Sequence, residues 1–141
     1  MSLITITPTD RTPLAGLAAG DDWIVACLCA GWCNVCEAFR PAFRQLAERH
    51  PDARFLWIDV EDNADLVGDI DIDDFPTVVM QRGSTVAFFG TTLPDERVIE
   101  RIWLAQRGRS DAELASEAAS TPQRRGWQFD ADLRRRFGTA G

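Results

Sequence analysis

Trp23-Ile24-Val25-Ala26-Cys27-Leu28-Cys29-Ala30-Gly31-Trp32-Cys33-Asn34-Val35-Cys36 is the stretch from which the fold of this chain is read. Its first half, residues 23–29, is an almost continuous apolar run of strand length. Such a run suits a strand covered on both faces at the centre of a sheet. Beyond Gly31, residues 34–50 set Val35, Ala38, Phe39, Ala42, Phe43, Leu46 and Ala47 at the i, i+3, i+4, i+7 spacing of an amphipathic helix. Pro41 falls inside that helix and is expected to kink it. Cys33 and Cys36 therefore sit where a buried strand hands over to a helix.

Outward from this junction the pattern is regular. Leu3 to Thr7 reads as a first strand and Pro13 to Ala19 as a short helix closed by Gly20. Arg54 to Val60 is a second buried strand. Asn63 to Gly68 is a short helix, followed by the acidic loop Asp69 to Asp74. Thr77 to Gln81 and Thr85 to Phe89 flank Arg82-Gly83-Ser84 as a hairpin. Pro94 to Arg107 is a last amphipathic helix, with Pro94 in its first turn and Val98, Ile99, Ile102 and Trp103 facing inward. Strands alternating with helices, then an antiparallel hairpin, predict an α/β fold with a central mixed sheet flanked by helices. Residues 1–107 form this domain and 108–141 a C-terminal extension or tail. In the tail, Trp127, Phe129, Leu133 and Phe137 are spaced as weak anchors, which leaves open packing on the domain, capture of a partner, or a disordered end.

The chain has 141 residues, enough for one domain, and a net charge of −7 in which every basic residue is Arg. That acidic balance argues against a nucleic-acid binder, which needs a basic face. No apolar run reaches the length of a membrane span. The N-terminus has neither a basic n-region nor an apolar h-region, so the expected location is the cytoplasm, where stable structural disulfides are rare. The four cysteines, Cys27, Cys29, Cys33 and Cys36, all fall in residues 27–36. A disulfide scaffold would spread them to staple distant segments, so clustering points to local chemistry.

Cys33 falls at a helix N-terminus, where free backbone N–H groups and the macrodipole favour a thiolate. Cys36 lies one turn on. A mechanism follows: Cys33 attacks a substrate disulfide, and Cys36 then resolves the mixed disulfide. Two structural cysteines, or half of a zinc site, are the competing readings. Cys27 and Cys29, two apart on a strand, share one face. They read as core residues, as a resolving thiol, or as part of a metal cluster with Cys33 and Cys36. The lone His50 reads as a cation at a helix C-terminus, and Trp57 and Trp103 as core.

Ala30-Gly31-Trp32-Cys33-Asn34-Val35-Cys36 resembles the active-site segment of the thioredoxin family, usually W-C-G-P-C. Pro41 matches the family's helix proline, Phe75-Pro76-Thr77 its P-T motif, and Gly90, after the last strand, the glycine bordering its substrate groove. The resemblance covers about Ser2 to Arg107. It implies a thioredoxin-like fold and a thiol–disulfide oxidoreductase acting on protein disulfides, with Cys33 and Cys36 catalytic. It implies that Pro76 is cis and packs beside Cys33, that the backbone of Phe75 pairs with an extended substrate peptide, and that Trp32 covers the disulfide and touches substrate. It further implies no bound cofactor or metal, an external reductase or other electron donor, and a monomer. The chain departs from the family at several positions. Asn34-Val35 replaces Gly-Pro. Cys27 stands where the family buries an Asp, Trp57 near its Lys, and Glu37 where a basic residue is common. The hairpin after Pro76 is about one residue short. The missing proton-transfer pair favours a second reading, a thioredoxin-fold adaptor or chaperone with slow or vestigial redox chemistry. A third is a metal or iron–sulfur carrier using all four cysteines.

Overall fold

Residues 23–29 form a strand in which every side chain is buried, and the sheet is organised around it. The computed structural model describes residues 3–139; Ser2, where the family resemblance begins, lies outside them. The strands are β1 (Ile4–Ile6), β2 (Trp23–Cys29), β3 (Ala53–Asp59), β4 (Thr77–Arg82) and β5 (Thr85–Thr91), in spatial order β1-β3-β2-β4-β5. β3 runs parallel to β1 and β2, while β2–β4 and β4–β5 are antiparallel. The helices α1 (Thr12–Ala19), α2 (Asn34–Arg49), α3 (Ala64–Val67) and α4 (Glu96–Arg107) separate them in the order the hydrophobic pattern predicts. This is a thioredoxin-like α/β fold with a mixed sheet.

The period-two alternation of β2 divides the interior into two cores. Trp23, Val25, Cys27 and Cys29 face Phe39, Phe43 and Leu46 of α2 and Ile99 and Trp103 of α4. Ile24, Ala26 and Leu28 face Leu14 and Leu17 of α1 and Leu66 and Val67 of α3. Val98 and Ile102 are only half-buried on α4. Most element boundaries shift by a residue or two from expectation, and two of the shifts have a clear local cause or consequence. Pro94 lies outside α4, because the carboxylate of Asp95 accepts the Arg97 N–H at 2.9 Å and so caps a helix that starts at Glu96, two residues later. Gly90 lies within β5, opposite Val78, rather than after the strand. The ladder slips between Met80 and Gln81, which leaves Ala87 as the extra residue of β5. Gly83, with φ 55°, makes the left-handed turn of the hairpin.

The extension folds as α5 (Asp111–Ala118), α6 (Pro122–Asp130) and α7 (Leu133–Gly138). Leu114 of α5 joins the core under α4, whereas Ala131, Leu133 and Phe137 join the opposite core beside α1. The segment therefore passes around the β5 edge from one face of the sheet to the other. Polar side chains fasten it. The Gln128 amide accepts the Val86 N–H at 2.8 Å and donates to the Val86 carbonyl at 2.9 Å, pairing an edge strand that would otherwise stay open. Buried Gln81 donates to Asp132 and accepts the Leu133 N–H. Arg134 donates to the carbonyls of Leu17, Asp22 and Gly83, and Arg136 to those of Leu66 and Asp130 and to the Asp69 carboxylate. Of the anticipated anchors, Phe129 does not serve: it is exposed, with Arg135 stacked over its ring.

Candidate redox site

Cys33 is the N-cap of α2. Its N–H donates to the Ala30 carbonyl at 3.0 Å, and its own carbonyl accepts the Glu37 N–H at 3.2 Å. The backbone thus turns sharply from strand to helix at this residue. Its side chain is a half-buried free thiol. Cys36, in the first turn of α2, is fully buried and belongs to the core between helix and sheet.

Cys36 is disulfide-bonded to Cys29, with Cα atoms 6.0 Å apart, and not to Cys33 as the C-x-x-C spacing suggests. The reason lies in the directions of the side chains. Cys29, the last residue of β2, points to the face on which α2 packs. Cys36 points from α2 back toward the sheet, while Cys33 sits at the helix mouth. Cys27 shares the face of Cys29, as strand spacing requires, and their sulfurs lie 3.5 Å apart. Complete burial pushes the Cys27 thiol far above the ordinary cysteine range, so it stays protonated.

Trp57 stands across from Cys27 in the β2–β3 ladder and is buried, with the Arg40 guanidinium over its ring. The two positions where the family resemblance leads one to look for a buried carboxylate and amine thus hold a thiol and an indole. Sequence reading passed over Asp59, the carboxylate opposite Cys29 in the same ladder. Its Oδ1 accepts the N–H groups of Glu61 and Asp62. A Cβ at Gly31 would come within 3.0 Å of Asp59 Oδ2, so a larger residue there would push the Asp59 side chain aside. The signal was available in Trp57-Ile58-Asp59, an acid closing a buried strand.

The Phe75–Pro76 peptide bond is cis, and Pro76 is buried. The loop is pinned by the Asp74 carbonyl, which accepts the hydroxyls of Thr77 and Thr91, and by the Pro76 carbonyl, which accepts the Thr92 N–H. The Phe75 N–H donates to the Asp74 side chain at 2.8 Å. The rings of Phe75 and Trp32 meet edge to face at 5.7 Å. Cys33 and Phe75 both pack against the core that contains Cys36. Trp32 and Phe75 therefore meet at the mouth of α2, Pro76 follows Phe75 in the cis loop, and Gly90 faces Val78 on the neighbouring strand. Trp32 is 67% exposed, and Val35 and Leu93 are also exposed. His50 is away from this site: it caps the C-terminus of α2 and binds Glu100 of α4 at 2.6 Å, which holds the Glu100 carboxyl below its usual range.

Residues 14–102 match the Thioredoxin family model. Thioredoxin-2 of Saccharomyces cerevisiae is 30% identical over 69 residues, covering 49% of this chain and 66% of that protein. The thioredoxin of Ophiophagus hannah is 37% identical over 59 residues, covering 42% of this chain and 56% of that protein. The chain thus spans between about half and two thirds of the length of these curated relatives. A chain in the crystal structure of a complex of ferredoxin:thioredoxin reductase and thioredoxin f2 superposes with a TM-score of 0.63 and 21% identity, over 76% of this chain and 96% of that one. That last likeness is one of fold. The matched stretch takes in β2 to β5, the helix that carries Cys36 and the cis-proline loop, and with it this chain belongs to the thioredoxin family.

Proposed function

We propose that this chain is a thiol–disulfide oxidoreductase acting on protein disulfides, with Cys33 as nucleophile and Cys36 as resolving thiol. The observation that carries this reading is the free, half-exposed Cys33 thiol at the N-cap of α2, with Cys36 buried one turn behind it. In the reduced chain, Cys33 thiolate attacks a substrate disulfide. One substrate thiolate leaves, and a mixed disulfide forms. Cys36 thiolate then attacks the Cys33 sulfur, the second substrate thiolate leaves, and Cys33–Cys36 is the oxidised product. Two electrons from an external dithiol or reductase restore the dithiol, so the chain needs no cofactor of its own. Opening of the Cys29–Cys36 bridge by the same reductant precedes the cycle, since Cys36 must be free to resolve.

Trp32, Phe75, Pro76 and Gly90 form the ledge for an extended substrate segment, and the exposed rings supply its apolar contact. A reductase is the natural electron donor, and the structural relative crystallised with ferredoxin:thioredoxin reductase supports that class of partner. A reducing compartment such as the cytoplasm suits the dithiol cycle. The net charge of −7 argues against a nucleic-acid partner, and no helix among the described residues is long and apolar enough to cross a membrane. The adaptor reading is favoured by Cys27 and Trp57, which leave Cys36 without a buried base at those positions. Trapping decides between the two: Cys36→Ser, incubated with a disulfide-bonded protein, accumulates a dithiothreitol-sensitive adduct on Cys33 if the chain is an oxidoreductase. An adaptor without redox chemistry forms none.

A further inference from the structure

Three cysteines of this chain compete for one position. Cys36 faces the sheet, and the structure joins it to Cys29 at a Cα separation of 6.0 Å, within the range of an ordinary disulfide. Cys33, the partner that turnover requires, is left as the free and accessible thiol. We infer that Cys29 is a third redox-active cysteine, which takes Cys36 over after turnover and stores the oxidation in a buried Cys29–Cys36 bridge while returning Cys33 as a free thiol. This inference rests on the proposed dithiol cycle, which supplies the Cys33–Cys36 bond.

The step balances without any further oxidant. Cys29 thiolate attacks the Cys36 sulfur of the Cys33–Cys36 bond. The Cys29–Cys36 bond forms, the Cys33–Cys36 bond breaks, and the electron pair leaves on Cys33. The proton lost by Cys29 ends on Cys33 or in solvent, so one disulfide and one thiol become one disulfide and one thiol. Its direction follows from where charge is tolerated. Cys33 leaves at the N-cap of α2, where its sulfur is partly open to water. Cys29 is 2% exposed, a place where a thiolate is costly, so the displaced electron pair is better carried by Cys33 than by Cys29. Cys27, 3.5 Å from the Cys29 sulfur and held protonated by its burial, is placed as a weak S–H donor to Cys29 during the attack. The consequence is an oxidised chain that keeps its nucleophile. Cys33 can then bind a second disulfide covalently, and the adduct persists because its resolving thiol is occupied.

The test is a disulfide time course on the full-length chain. The reduced protein is oxidised with one equivalent of an aromatic disulfide, quenched in acid at intervals, alkylated and mapped. Trypsin leaves all four cysteines on one peptide, because no Arg or Lys lies between Thr12 and Arg40. Chymotrypsin, cutting after Leu28 and Trp32, separates Cys27, Cys29 and the Cys33–Cys36 segment. The expected result is an early loop within the segment of residues 33–39. It gives way to a cross-link between the Cys29 peptide and Cys36, with Cys33 alkylated. A Cys33–Cys36 loop that persists to the end, with Cys29 recovered as a thiol, overturns the inference. Maleimide labelling of Cys33 in the oxidised native protein gives a second reading. Labelling is expected in the wild type and lost in Cys29→Ala; equal labelling of the two also overturns it. The dithiol reading fails separately, if Cys33→Ser retains turnover on a protein disulfide. Loss of turnover in Cys33→Ser together with a persistent Cys33–Cys36 loop removes only the role of Cys29.

Discussion

Cys27 lies directly opposite Trp57 in the parallel ladder of β2 and β3, two residues before the cysteine that bridges to Cys36. Neither side chain can accept a proton near neutral pH: the indole has no basic nitrogen, and burial keeps the thiol protonated. The resolving step at Cys36 therefore proceeds without help from this pair.

Replacing Cys27 by Asp should supply a base and raise turnover on a protein disulfide. It should also destabilise the fold, because an ionised carboxylate is far costlier to bury than a thiol. Desolvation will raise the folded-state pKa of that carboxyl above its unfolded value. The variant is then most stable at low pH and loses stability as pH rises from about 4, the unfolded value, up to the folded one. The gain in turnover appears on the high-pH side of that window. Urea titrations and insulin-reduction rates across pH check both halves. An unchanged or lower rate in a folded variant removes the proton-transfer argument.

Trp32→Ala should lower kcat/KM for a disulfide-bonded protein while leaving the rate on a small aromatic disulfide nearly unchanged. The side chain is largely exposed and touches Phe75, so its loss removes substrate contact more than core packing. A matching fall on both substrates would instead place its effect on Cys33.

The extension should behave as part of the fold. Phe137→Ala should cost about 3–5 kcal/mol, as for other buried aromatic truncations, since Phe137 is 2% exposed in the core beside α1. Gln128→Ala should cost about 1–2 kcal/mol through loss of two hydrogen bonds to Val86. Urea unfolding measures both. Free energies within error of wild type would mean that the extension is dispensable to the domain.

Glu100 and His50 tie α4 to α2, and the carboxyl is held below its usual value, first by its hydrogen bond to His50. A depressed carboxylate gives stability that is complete above its unfolded pKa, about 4.3, and lost as pH falls through the folded value. Glu100→Gln should therefore flatten part of the acid limb of the stability curve. An acid limb identical to wild type would contradict the coupling.

Much of the architecture was legible because the apolar periods are strong. The run of residues 23–29 has the length and composition of a buried strand, and the spacing from Val35 to Ala47 that of an amphipathic helix. Phe75-Pro76-Thr77 pointed to the cis loop through its family resemblance. The bridge between Cys29 and Cys36 was not legible, because spacing along the chain says nothing of which thiol the end of one strand turns toward a neighbouring helix. The extension was obscured for a different reason. Arg134-Arg135-Arg136 reads as a solvated charge run, yet the first and third are buried, since their guanidinium groups satisfy carbonyls at element ends that are far away in sequence. Gln81 and Gln128 likewise look like surface residues until the chain brings them to their partners.

The central claim, that Cys33 is the nucleophile of a protein-disulfide reductase, is tested most directly by insulin-disulfide reduction with dithiothreitol as electron source. The full-length chain is compared with Cys33→Ser. The account predicts turnover by the wild type that is abolished in a folded Cys33→Ser. Undiminished turnover in that variant would contradict it.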